Sequence, residues 1–114
     1  GMKALASVAT KGDGRMVALI ANRLEDVDAT ARSVALGVLA QIAFKGNQVS
    51  IAAASACLED KDELVRNAAM KVVAQLAERG DAKAVAALEK SVREERGPAR
   101  CTALRALGEV VTQG

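Results

Sequence analysis

Residues 24–47 read LEDVDATARSVALGVLAQIAFKGN, and residues 58–81 read LEDKDELVRNAAMKVVAQLAERGD. Slid by 34 residues, the two stretches align without a gap and agree at eleven of 24 positions, from Leu24/Leu58 to Gly46/Gly80. Self-similarity at a fixed period identifies a repeat architecture. A third copy, Val92 to Gly114, drifts more but keeps Arg100, Ala103 and Gly114 in register. A partial copy precedes them, with Leu5, Val8, Ala9 and Gly12 on the register of Leu39, Ile42, Ala43 and Gly46. The chain of 114 residues thus divides into a partial unit, 1–12, and units 13–46, 47–80 and 81–114, within one domain.

Each unit reads as a helical hairpin. In the second half, apolar residues at 31, 34, 35, 38, 39, 42 and 43 form a helical stripe. Asp28 and Asp62 stand where a side-chain oxygen can cap an orphaned backbone N–H. In the third unit Arg96 replaces that Asp, so Gly97 is the expected cap, with Pro98 in the first turn. The first half of each unit is a shorter helix, about 14–24, 48–58 and 82–92, with apolar rows Val17/Ile51/Val85, Ile20/Ala54/Leu88 and Leu24/Leu58/Val92. Between units stand Lys11-Gly12-Asp13, Lys45-Gly46-Asn47 and Arg79-Gly80-Asp81. A basic residue for the helix dipole, a left-handed glycine and a new N-cap account for all three. That reading also absorbs Arg79-Gly80-Asp81, which spells an adhesion tripeptide only in one copy. The predicted fold is all-α: seven helices and no strands, stacked as an α-solenoid of about three and a half hairpins. Alanine supplies 25 residues, and Ala35, Ala43, Ala69, Ala77 and Ala103 let helices approach closely while Leu39, Ile42, Leu76 and Leu107 fill the gaps.

Composition removes whole classes of function. With no His, there is no imidazole base or metal ligand within the chain. Cys57 and Cys101 cannot make a four-thiolate zinc site. The acidic residues recur at helix caps rather than in a convergent cluster, so no metal or other cofactor is expected. One aromatic residue and a net charge of +2 provide neither a stacking platform nor a basic stripe for nucleic acid. No apolar run reaches the roughly 18 residues of a membrane span. Two unpaired thiols point to a reducing, cytoplasmic setting. Cys57 is expected buried and inert, because the repeat places Arg23 and Ser91 at its register.

The set Leu58, Asp60, Asp62, Val65, Arg66, Ala68 and Ala69 resembles the HEAT repeat of the armadillo-like superfamily, and more closely its short phycobilisome-lyase-type units. Residues 24–36 carry the same pattern with Ala31 in place of Val, and in the third copy Arg93 to Arg96 displace the Asp-x-Asp turn. The resemblance covers nearly the whole chain. It implies a non-enzymatic protein–protein interaction scaffold. The alternative it implies is an accessory module of a bilin-lyase-like or other enzyme complex. It also implies that Arg32, Arg66 and Arg100 bond between units with Asp26, Asp28, Asp60 and Asp62. A row of arginines for anionic ligands is the functional alternative for those positions.

Subtracting the buried stripe leaves an outward face on the longer helices. Gln41, Gln75 and Glu109 make one row there, and Gly37, Lys71 and Arg105 another. Asn67 and Phe44 stand beside them. Gln41, Phe44, Asn67, Lys71, Gln75, Arg105 and Glu109 are the candidate contacts for a protein partner; an ordinary solvated face is the plainer reading. Phe44, whose equivalents are polar, is either an anchor or folds back over the adjacent loop. Neither end carries a polar capping helix, which suggests an excerpt of a longer array or end-to-end self-association. Apolar surface is then expected at Leu5 and Val8 on one end and at Leu104 or Leu107 on the other.

Overall fold

A computed structural model describes residues 14–112. Six α-helices run through them, with no strand among the described residues. They are α1 (Gly14–Asn22), α2 (Ala29–Ile42), α3 (Gln48–Ala56), α4 (Glu63–Leu76), α5 (Ala82–Glu94) and α6 (Gly97–Thr112). The expected first helix, along with Leu5 and Val8, lies outside the described residues.

The caps form where short-range chemistry puts them. Asp28 accepts from Thr30 N, Asp62 from Leu64 N, Asn47 from Ser50 N and Asp81 from Ala84 N. Gly46 and Gly80 take left-handed conformations, φ 86° and 71°. Three details differ from the sequence reading. The short helices 14–24 and 48–58 are not α-helical throughout: Arg23–Glu25 and Cys57–Glu59 tighten to 3-10 turns, which bring the chain round to Asp26 and Asp60. Helix α6 begins at Gly97 itself, at φ 57°, with Arg96 O accepting from Arg100 N, so Gly97 is not an N-cap. The buried stripe is also rotated. Val34 is exposed, while Leu36 and Ala40 are buried. The cause is that each long helix packs on two sides, against its own short helix and against the next long helix.

Helices α2, α4 and α6 pack side by side as one layer, and α1, α3 and α5 cover its back. The thinnest dimension, 18 Å, has room for two layers of helices whose axes lie about 8–10 Å apart. One core runs through the layers: Val17, Leu36 and Leu39, Ile51 and Ala54, then Met70, Val73 and Leu76, Leu88, and finally Ala103 and Val110. A hairpin this small cannot bury its apolar face by itself, so each one relies on its neighbours.

Candidate functional site

Two sets of polar side chains cross from hairpin to hairpin, one at each end of the long helices. At the N-terminal end, Arg32 grips Asp60 with two hydrogen bonds, Nε to Oδ2 at 2.8 Å and Nη2 to Oδ1 at 3.0 Å. Its Nη1 donates to Asp26 O at 2.7 Å. Planar, two-pronged guanidinium–carboxylate pairs are strong and directional. Arg66 repeats the arrangement with a different acceptor: its Nε reaches Glu95 Oε2 at 2.7 Å, and Nη1 donates to Asp60 O and Lys61 O. Arg100 donates to Glu95 O at 3.1 Å, within its own hairpin.

The set of residues implied by resemblance is therefore corrected in part. Asp60 carries an inter-hairpin bond. Asp26 caps Asp28 N, Asp28 caps Thr30 N and Asp62 caps Leu64 N, all local. Glu95, one position off the register of Asp60, takes the role that the displaced aspartates leave. The arginines are buried or half-buried in packing, with no open row toward an anion.

The electrostatics follow from this geometry. Burial pushes the Asp60 carboxyl up, but the Arg32 hydrogen bonds, the Asp62 N–H and the nearby cations outweigh it, leaving the group below the ordinary aspartate value. Arg32 and Arg66 are held more basic than usual, chiefly by hydrogen bonds to Asp60 and Glu95. The Asp81 carboxyl is also lowered, first by the Ala84 N–H. A carboxyl whose folded pKa is depressed stabilises the fold above its unfolded pKa, about 3.9, and loses that contribution as pH falls through the folded value. Thermal stability should therefore decline in acid below about pH 4. Asp60→Asn should melt lower than wild type at pH 7 and show a shallower acid decline. Melts from neutral pH to about pH 2.5 measure both effects; parallel curves for the two proteins would refute the pairing as the cause.

At the C-terminal end the crossing bonds involve backbone. Gly46 N donates to Leu76 O at 2.5 Å and Gly80 N to Val110 O at 2.8 Å. Lys45 Nζ donates to Gln75 O, and Gln75 Nε2 to Ala40 O. Lys45 thus serves the next hairpin's helix end rather than its own. An exposed Lys90–Glu59 pair adds a third tie on the back layer.

The outward face of α4 and α6 holds two adjoining clefts. One, of about 520 Å³, is lined by Lys45, Lys71, Ala74, Gln75, Glu109 and Thr112. The other, of about 320 Å³, shares Lys71 and Glu109 and adds Thr102, Arg105 and Ala106. Of the candidate contacts, Lys71, Gln75, Arg105 and Glu109 come together here. Gln41 lies exposed on α2, outside both clefts. Phe44, just past the end of α2, is 56% exposed. Asn67 is half-buried, with its Oδ1 shielded from solvent and without a donor. Cys57 is buried, its thiol pushed up first by burial, and Cys101 is exposed. Among the described residues no group of three or more His, Cys, Asp or Glu could hold a metal ion, and no helix is long and apolar enough to cross a membrane. Exposed Val34 and Leu64 flank a smaller cleft at the helix starts. The sequence reading missed Val34 by placing it in the core stripe.

The family described as HEAT repeats matches residues 16–108, most of the chain and nearly all of its described part. No curated protein and no solved structure matches.

Proposed function

The chain belongs to the HEAT-repeat family, and from that premise we propose that it is a non-enzymatic scaffold whose outward face binds a polar, extended segment of another protein. In this reading the single domain is an α-solenoid of units 13–46, 47–80 and 81–114 after a partial unit, 1–12. The observation that carries it is the pair of adjoining clefts on α4 and α6. Their charged ends, Lys71, Arg105 and Glu109, have no partner among the described residues. Such groups keep their hydrogen-bonding capacity for an incoming chain, and regular polar spacing suits main-chain and side-chain contacts to an extended segment. Charges of both signs at one cleft favour a segment of mixed charge. Gln41 and Phe44 extend the same face toward α2. The free thiols support a reducing, cytoplasmic setting.

The test is affinity capture with the intact protein against Lys71→Glu/Arg105→Glu. Reversing both charges should reduce recovery of a bound protein about tenfold or more, since like charges across a contact repel. Circular dichroism should be unchanged, because both side chains are exposed. Equal recovery by the folded variant would remove this face from consideration.

A further inference from the structure

The outward face changes character along the long helices. At their N-terminal ends a cleft between α2 and α4, of about 140 Å³, has Val34, 59% exposed, on one wall and Leu64, 73% exposed, on the other. Asp62 also lines this cleft, its Oδ1 accepting from Leu64 N. Two turns further along α4 stands Lys71, which lines both polar clefts together with Glu109. Arg105 lines one of them, and Lys45, whose Nζ donates to the neutral Gln75 O, lines the other. Three cations thus meet one carboxylate there. Between the apolar and the charged regions, on α2, lies Gly37. It is exposed in mid-helix, and a methyl group built on it would meet nothing within 4 Å. Glycine at such a place weakens a helix relative to alanine, and no packing contact calls for it. It leaves the backbone bare at the register of Lys71 and Arg105.

We propose that this face reads a short acidic segment in the polyproline II conformation, with an apolar side chain seated between Val34 and Leu64 and a carboxylate, three residues away, paired with Lys71 and Arg105. The inference rests on the scaffold reading above and names the chemistry of the segment bound. Charge complementarity selects the acid: three cations against one carboxylate attract an anion, and Asp62 repels it from the apolar end. Spacing selects the conformation. Leu64 and Lys71 stand seven residues apart on α4, so they share a face and lie about 10 Å apart at about 1.5 Å per residue. In a polyproline II segment, residues three apart share a face and lie about 9 Å apart. A β-strand puts such residues on opposite faces and does not fit. The bare backbone at Gly37 gives the segment room to lie against α2 between its two anchors.

The probes are labelled peptides, Leu-Pro-Pro-Glu and its reverse Glu-Pro-Pro-Leu within Gly/Ser flanks, titrated into the intact protein. The prolines hold the spacer in the required conformation. Saturable binding is expected in at least one of the two directions. Lys in place of Glu, Ser in place of Leu, or one or three prolines instead of two, should each weaken it about tenfold. Lys71→Glu/Arg105→Glu should reverse the preference and take the Lys peptide over the Glu peptide. Gly37→Gln should melt higher than wild type and yet bind about tenfold more weakly; a glycine without a part in recognition would give the first change and not the second. Leu64→Ser, at an exposed position, stays folded and should no longer distinguish the Leu peptide from its Ser version. Binding that needs Lys71 and Arg105 but ignores the Leu, the spacer length and Gly37→Gln would overturn this inference and leave the scaffold reading standing. No binding of any peptide at about 1 mM would overturn it as well, while a captured protein lost in Lys71→Glu/Arg105→Glu would still support the proposed function.

Discussion

Leu76→Ala is expected to lower the free energy of unfolding by about 2–5 kcal/mol. Leu76 is 2% exposed at the end of α4, and α4 packs against both α2 and α6. The substitution removes three heavy side-chain atoms from a site that close neighbours on two sides hold rigid, so little of the void can collapse. Domains of this kind have total stabilities of about 5–15 kcal/mol, so the loss is a large share. The position adds a second effect. Stability in a stack of hairpins is a sum of unit and neighbour terms, and Leu76 belongs to the hairpin that joins the other two. Urea denaturation should show a lower midpoint together with a reduced slope, as the two ends begin to unfold separately. Leu104→Ala, the same chemistry on the open face of α6, should change stability by no more than about 0.5 kcal/mol. Equal losses at the two positions would contradict the layered packing.

The second large effect comes from adding volume. Ala69→Leu should destabilise by about 1–3 kcal/mol, read as a fall in the thermal midpoint. Ala69 is fully buried in α4, at the register of Ala35 and Ala103, which are also buried. This row of methyl groups is what allows neighbouring helices to lie close, and three more carbons at Ala69 must displace a helix or force a strained rotamer. Ala86→Leu, on the exposed side of α5, should be neutral. A neutral Ala69→Leu would show that the spacing is set elsewhere.

How far the sequence reveals this molecule depends on how local each feature is. The caps at Asp28, Asn47, Asp62 and Asp81 were readable because a cap is a contact between residues two or three apart. The left-handed turns at Gly46 and Gly80 were readable because few other residues tolerate that backbone. What crosses between hairpins was harder. Asp60 could be singled out by resemblance, but nothing local separates its carboxylate, which reaches Arg32, from that of Asp62, which stays home. Glu95 was missed because the third copy loses the Asp-x-Asp pattern and the acceptor moves by one residue; an acidic run at Glu94-Glu95 facing a register arginine was the available signal. The rotation of the core stripe from Val34 to Leu36 was illegible from periodicity alone, since a helix packed on two sides buries a broader arc than one packed on a single side. Of the outward candidates, composition could name Lys71, Gln75, Arg105 and Glu109, but only the packing of α4 on α6 shows that these four share adjoining clefts while Gln41 stands apart.

The amides of Gly46 and Gly80 look outward to the following hairpin instead of closing their own helices. A connecting loop used in this way behaves as a ruler: its residue count and the lateral distance between helices are one quantity. A single residue inserted between Ala43 and Asn47 would carry the amide past its carbonyl, whereas a whole duplicated hairpin would bring its own measure with it. Change in length is therefore quantised, and growth by entire modules is the step that leaves every existing junction undisturbed.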